Sequence, residues 1–139
     1  MALPADVKLF VKNQRSIHLY GGLQAALVDV LSALPDRTYK SLTKNLIVMA
    51  LHRTALGQAM FFPQFNGDFK IIEFVYDKKI PSDVLRYVCA HELGHLMYGQ
   101  LFPKKDDTWE TLEEKADSWA ATWGFSKTKG IKLWIEKKR

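Results

Sequence analysis

Apolar positions along the chain follow two rhythms, and the switch between them marks the predicted elements. A weak helical spacing runs from about Ala5 to Lys12, and a stronger one from about Gly22 to Leu34, where Pro35 and Asp36 end it. The pattern then changes. Asn45 to His52 (NLIVMALH) and Gln58 to Phe62 (QAMFF) are short apolar runs, and Phe69 to Tyr76 (FKIIEFVY) is rich in β-branched and aromatic residues after the Asn66-Gly67-Asp68 turn signal. Three strands are expected. Their connections are too short for crossover helices, so one antiparallel sheet is expected.

Helical spacing then returns. Pro81-Ser82-Asp83 opens a helix with Ser82 as N-cap, running to about Gly99, whose missing Cβ suits a helix end. At about 100° per residue, Tyr87, His91, His95 and Tyr98 share one face, with Leu85, Cys89, Leu93 and Leu96 roughly opposite. Apolar residues cover most of this circumference, which predicts a buried helix whose histidines need partners. A second helix covers Thr108 to Trp123, with Asp107 as N-cap and Glu110 completing a capping box. Its apolar stripe is Trp109, Leu112, Ala116, Trp119, Ala120 and Trp123; Glu113 and Asp117 adjoin the stripe, while Glu114 points toward Thr111, Ser118 and Thr122. The expected fold class is α+β: a small three-stranded antiparallel sheet packed against these two helices and preceded by N-terminal helices.

Length narrows the organisation. The 139 residues, 47% of them apolar, suit a single domain, expected over residues 1–124 with a basic amphipathic tail over 125–139. No run approaches the roughly 20 apolar residues of a membrane helix, and MALPADVKLFVKNQRS lacks the apolar centre of a signal peptide, so a cytoplasmic protein without membrane contact is expected. The single cysteine, Cys89, agrees with a reducing compartment and excludes a cysteine-based zinc cluster within the chain.

Charge is concentrated at one end. After Gly124 stand Lys127, Lys129, Lys132, Lys137, Lys138 and Arg139 against the single acid Glu136, a surplus equal to the whole net charge of +5. The rest of the chain balances. The tail carries no DNA-reading motif, and Ile131, Leu133, Trp134 and Ile135 favour docking on the domain over nucleic-acid contact, which the basic charge leaves open.

The most specific chemical signal is the run HELGH, residues 91–95. His91 and His95, four apart on a helix, can reach one metal ion, and Glu92 sits where it can touch a water on that metal. Two helix-face histidines with ordinary hydrogen bonds would account for the same letters. A hydrolytic zinc site takes a third protein ligand and leaves one position for water, and Glu113 is the inward carboxylate that could supply it. Asp117, one turn further on, is placed to accept the free ring N–H of a ligating histidine. A pair of salt-bridging surface acids is the competing explanation for Glu113 and Asp117.

HELGH, a gap of 17 residues and Glu113-Glu114-Lys115-Ala116-Asp117 followed by Trp119-Ala120 together resemble the gluzincin metallopeptidases, particularly the small ImmA/IrrE-like members. The resemblance covers about Leu46 to Gly124 and is weak over the first 40 residues. It implies a zincin-like fold and a zinc metallopeptidase with one Zn2+ ion held by His91, His95 and Glu113, Glu92 as general base, Asp117 orienting a histidine, and a protein or peptide as substrate. No helix-turn-helix or sensor domain of the kind that accompanies larger members is seen, so a free-standing minimal catalytic domain is expected.

Other expectations stay open. Tyr98 and His52 are candidate oxyanion helpers, and Ala59 to Phe62 is the candidate sheet edge for a substrate strand. Instead of an enzyme, the chain could be a metal-stabilised binding module presenting Phe61, Phe62, Phe65, Trp109 and Trp119 to a partner, or a latent protease with GIKLWIEKKR folded across its own cleft. The sequence carries no signal for cleavage specificity or oligomeric state.

Overall fold

A computed structural model of the protein describes residues 2–50, 57–62, 69–74, 79–97 and 104–138. The N-terminal third is helical. Pro4 starts α1 (Pro4–Lys12), which buries Val7 and Val11 one turn apart. A short 3-10 turn, Arg15–Ile17, leads into α2 (Gly21–Ala33), whose Leu23, Ala26, Leu27, Val30 and Leu31 form a buried stripe. Leu34 is extended, as the residue before a proline must be, and α2 stops there.

Pro35 then stands at the cap of a helix that the apolar pattern did not predict, α3 (Asp36–Thr43). Its eight residues bury only Tyr39 and Leu42, too few to mark a period, and its position depends on distant groups: the Tyr39 hydroxyl donates to the Asp6 carbonyl at 3.3 Å. Asn45, at φ 55°, turns the chain from α3 into the first strand, a left-handed conformation that asparagine tolerates.

The strands are β1 (Leu46–Ala50), β2 (Gly57–Phe62) and β3 (Phe69–Phe74), in the order β1-β3-β2. β2 runs antiparallel to β3, with Phe62 opposite Phe69, but β1 runs parallel to β3, with Leu46 opposite Lys70 and Ala50 opposite Phe74. The expectation of an antiparallel three-stranded sheet is therefore corrected: the sheet is mixed. Short connections exclude a parallel pairing only between strands that follow each other directly. Here β2 itself lies between the two parallel strands in sequence, and β3 returns into the centre, so no crossover helix is needed.

The outer edge of β1 is covered by side chains from around the 3-10 turn. The Val48 amide donates to Gln14 Oε1 at 2.9 Å and the Ala50 amide to Ser16 Oγ at 3.1 Å. On β3, Ile72 and Phe74 enter the core on the same face as Lys70, whose Nζ reaches the Ser41 carbonyl at 2.7 Å. This sheet and α2 pack against α4 (Ser82–His95), the most deeply buried helix, which contributes Val84, Leu85, Val88, Cys89, Ala90 and Leu93 to the core.

α5 (Trp109–Thr122) packs along α4. Its cap falls one residue later than expected. Thr108 and Thr111 form the reciprocal capping pair, while Asp107 accepts from the Lys104 amide and from Lys115 Nζ, each at 2.7 Å. α5 ends in a Schellman turn: the Phe125 amide reaches the Ala120 carbonyl at 2.8 Å, the Gly124 amide reaches Ala121 at 3.0 Å, and Gly124 takes φ 97°. The reversal sends the chain into α6 (Lys129–Lys138), which buries Ile131 and packs Trp134 and Ile135 on the core. Leu133 remains exposed. No helix among the described residues is long and apolar enough to cross a membrane.

Candidate metal centre

Two small residues set the spacing of the site. A Cβ built on Gly94 of α4 would lie 2.9 Å from the Ala116 carbonyl oxygen and 3.1 Å from its Cα, so the backbones of α4 and α5 meet at this point. The glycine of HELGH thus has a packing explanation. His91 and His95 flank it on α4, and Glu113 and Asp117 flank Ala116 on α5.

The close approach brings three donor side chains together. His95 Nε2 lies 2.9 Å from Glu113 Oε1, His91 Nε2 lies 3.2 Å from Glu113 Oε2, and the two Nε2 atoms are 3.1 Å apart. His91, His95 and Glu113 form a group able to hold a metal ion. A tetrahedral zinc with bonds of about 2.0–2.1 Å holds its donors roughly 3.3 Å apart, so the observed spacing fits such an ion.

Electrostatics points the same way. Asp117 Oδ1 lies 2.8 Å from His91 Nδ1 and accepts the Tyr87 hydroxyl at 2.5 Å. Burial alone would raise the Asp117 carboxyl, but these bonds, with the charges of His91 and Lys127, outweigh it and bring the carboxyl down to about 2. An ionised Asp117 only accepts, which assigns the proton on His91 to Nδ1. In neutral His91, Nε2 then presents a lone pair toward a carboxylate oxygen and a second imidazole nitrogen. A metal ion, or a proton carried on His95 Nε2, would stabilise such an arrangement. The His91 imidazole responds accordingly: burial depresses it, yet the Asp117 bond and the carboxylates of Glu92, Glu113 and Asp117 leave its pKa raised.

Glu92 is 7% exposed. Burial pushes its carboxyl up to about 7, with His91 drawing it back and Glu113 adding to the rise. A carboxyl poised near neutrality is matched to proton transfer in either direction. Trp109 stands at the rim, 72% exposed, its ring stacked over His95 with centroids 6.4 Å apart. Cys89, fully buried, has its thiol pushed far up by burial and acts as a small core residue.

The residues singled out from the sequence thus divide. His91, His95 and Glu113 converge, Asp117 touches His91, and Glu92 is buried beside them. His52, Tyr98 and Phe65 lie outside the described residues, as do the side chains of Phe61 and Phe62. Ala59 to Phe62 belongs to β2, an edge strand of the sheet. Two residues were missed as parts of the site. Tyr87 was visible on the histidine face, but nothing in the sequence paired it with Asp117. Lys127, at 3.7 Å from Asp117 Oδ2, falls within the basic tail, whose apolar residues favour docking on the domain without indicating where.

Comparisons of the chain with family models, with curated proteins and with solved structures find no match.

Proposed function

We propose that the protein is a zinc-dependent metallopeptidase of the HExxH, gluzincin-like type. The observation that carries this reading is the convergence of His91 Nε2, His95 Nε2 and a Glu113 carboxylate within 2.9–3.2 Å, next to a buried Glu92. Two imidazoles and one carboxylate at tetrahedral spacing are a donor set suited to zinc, and three protein ligands leave a position open.

A zinc ion held there would supply Lewis acidity, polarising a carbonyl and lowering the pKa of water from 15.7 to about 7. Glu92 accepts the proton of the attacking water on a carboxylate oxygen and delivers it to the nitrogen of the departing amine. Asp117 keeps His91 in the Nδ1–H tautomer, which leaves its Nε2 lone pair available to an ion that the site would hold. Trp109 offers an exposed aromatic wall beside His95 for an extended peptide.

The positions of Lys127 and Ile131 favour an open enzyme over an occluded one. Lys127 lies on the Asp117 side of His91, behind the three donors, and Ile131 is buried in the core. The test is metal analysis of the purified protein together with cleavage of a quenched-fluorescent peptide library. One zinc per chain and zinc-dependent cleavage are expected; a closed site with four protein ligands and no cleavage would leave the binding-module reading.

A further inference from the structure

Asp117 gathers groups from two other parts of the chain. Its Oδ1 accepts the Tyr87 hydroxyl at 2.5 Å and faces His91 Nδ1 at 2.8 Å, both on α4. Its Oδ2 faces Lys127 Nζ at 3.7 Å, and the same ammonium lies 5.7 Å over the Tyr87 ring. The Tyr87 oxygen is also 3.4 Å from His91 Nδ1, so phenol and imidazole share one carboxylate oxygen. Tyr87 is buried, whereas the Lys127 side chain is 37% exposed. Lys127 reaches Asp117 because the Schellman turn at Gly124 folds the chain back along the end of α5.

We infer that Tyr87 and Lys127 are positioning residues of the metal centre, clamping Asp117 from either side so that it fixes the ring of His91, and that the C-terminal segment is thereby part of the site. The inference rests on reading His91, His95 and Glu113 as metal ligands. A carboxylate that accepts from an imidazole alone can pivot about its own side-chain torsions. One also held by a buried phenol and drawn by an ammonium cannot, and the imidazole inherits that restraint. Side chains that orient a ligand in this way are worth about 10–100-fold in metal affinity.

The test uses the full chain without substrate. Zinc affinity is measured by competition with a chromophoric chelator for the wild type, Tyr87→Phe, Lys127→Met and Lys127→Arg, with the exposed Lys132→Met as control. Exchange of the His91 Nδ1 proton with water is followed by NMR in the same proteins, metal-free. Tyr87→Phe is expected to weaken zinc binding about 10-fold. Lys127→Met is expected to weaken it a few-fold, Lys127→Arg to restore it and Lys132→Met to leave it unchanged; proton exchange should quicken in Tyr87→Phe and Lys127→Met alone.

Zinc affinities of Tyr87→Phe and Lys127→Met within twofold of a wild type that binds zinc, with unaltered proton exchange, would overturn the inference and leave the metal site standing. A wild type that binds no zinc would remove the metallopeptidase reading instead. The proton exchange then decides whether the clamp acts on His91, unchanged rates overturning it. Should Tyr87→Phe fail to fold, the surface substitutions at Lys127 carry the same test.

Discussion

Gly94 and Ala116 meet so closely that a methyl group on Gly94 would press on the Ala116 carbonyl oxygen at 2.9 Å and on the Trp119 Cβ at 3.3 Å. The contacts are to backbone and Cβ atoms, which no change of rotamer relieves. Gly94→Ala would gain up to about 1 kcal/mol of helix propensity, but overpacking of a rigid contact costs about 1–3 kcal/mol. A net loss of thermal stability and weaker zinc binding are expected, because α4 and α5 must separate. Calorimetry with and without zinc checks this; a raised midpoint with unchanged affinity would show that the helices have slack.

Exchanging the two adjacent glutamates separates ligand from neighbour. Glu113→Ala removes the oxygens that lie 2.9 and 3.2 Å from the histidines and is expected to abolish stoichiometric zinc, whereas Glu114→Ala retains it. Metal content after gel filtration reads the outcome, and the reverse pattern would make Glu114 the ligand.

Replacing the proposed base should split binding from chemistry. Glu92→Gln keeps the shape of a buried side chain and removes its proton chemistry, so zinc content should persist while peptide cleavage falls at least about 100-fold. Activity retained in a matched assay would exclude Glu92 as the base.

The metal-free protein should lose stability as pH rises from about 5 to 8. Glu92 has a folded pKa of about 7, above its ordinary 4.5, so its stabilising contribution is complete below about 4.5 and is lost as pH rises through about 7. The shift corresponds to about 3 kcal/mol as an upper bound. His91, also raised, adds a loss in the same direction above its ordinary 6.5. Asp117 acts oppositely: its pKa of about 2 lies below its ordinary 3.8, so its contribution is present above that value and disappears as pH falls toward 2. Denaturant unfolding of the zinc-free protein at pH 5 and pH 8 tests this loss, which Glu92→Gln should flatten.

Truncation after Ser126 should destabilise the protein and should not activate it. Ile131 is buried and Trp134 and Ile135 pack on the core, so losing α6 exposes an apolar surface, at about 1.5–3 kcal/mol for the buried isoleucine. Enhanced cleavage by a stably folded truncated chain would revive the latent-protease reading.

Much of this arrangement was legible in the sequence because it follows from local periodicity. Helical spacing put His91 and His95 on one face and Glu113 beside Asp117, and hydropathy together with turn and cap signals located α2, α4, α5 and the three strands to within a few residues. What the pattern could not carry was relations between distant segments. The direction of β1 relative to β3 depends on which strand enters the centre of the sheet, and alternation of side chains is the same for either direction. α3 escaped because two buried residues in eight do not establish a period.

The chemistry divides in the same way. Residue spacing by itself determined which donors could face a common ion, since positions four apart on a helix always share a side. Only the tertiary structure decided that α4 and α5 approach closely enough at Gly94 for those donors to converge, and that Asp117 is held by a phenol 30 residues earlier in the chain and an ammonium beyond the end of its own helix. The first property is fixed by backbone geometry over a few residues; the second requires the packing of the whole core to bring separate segments into register.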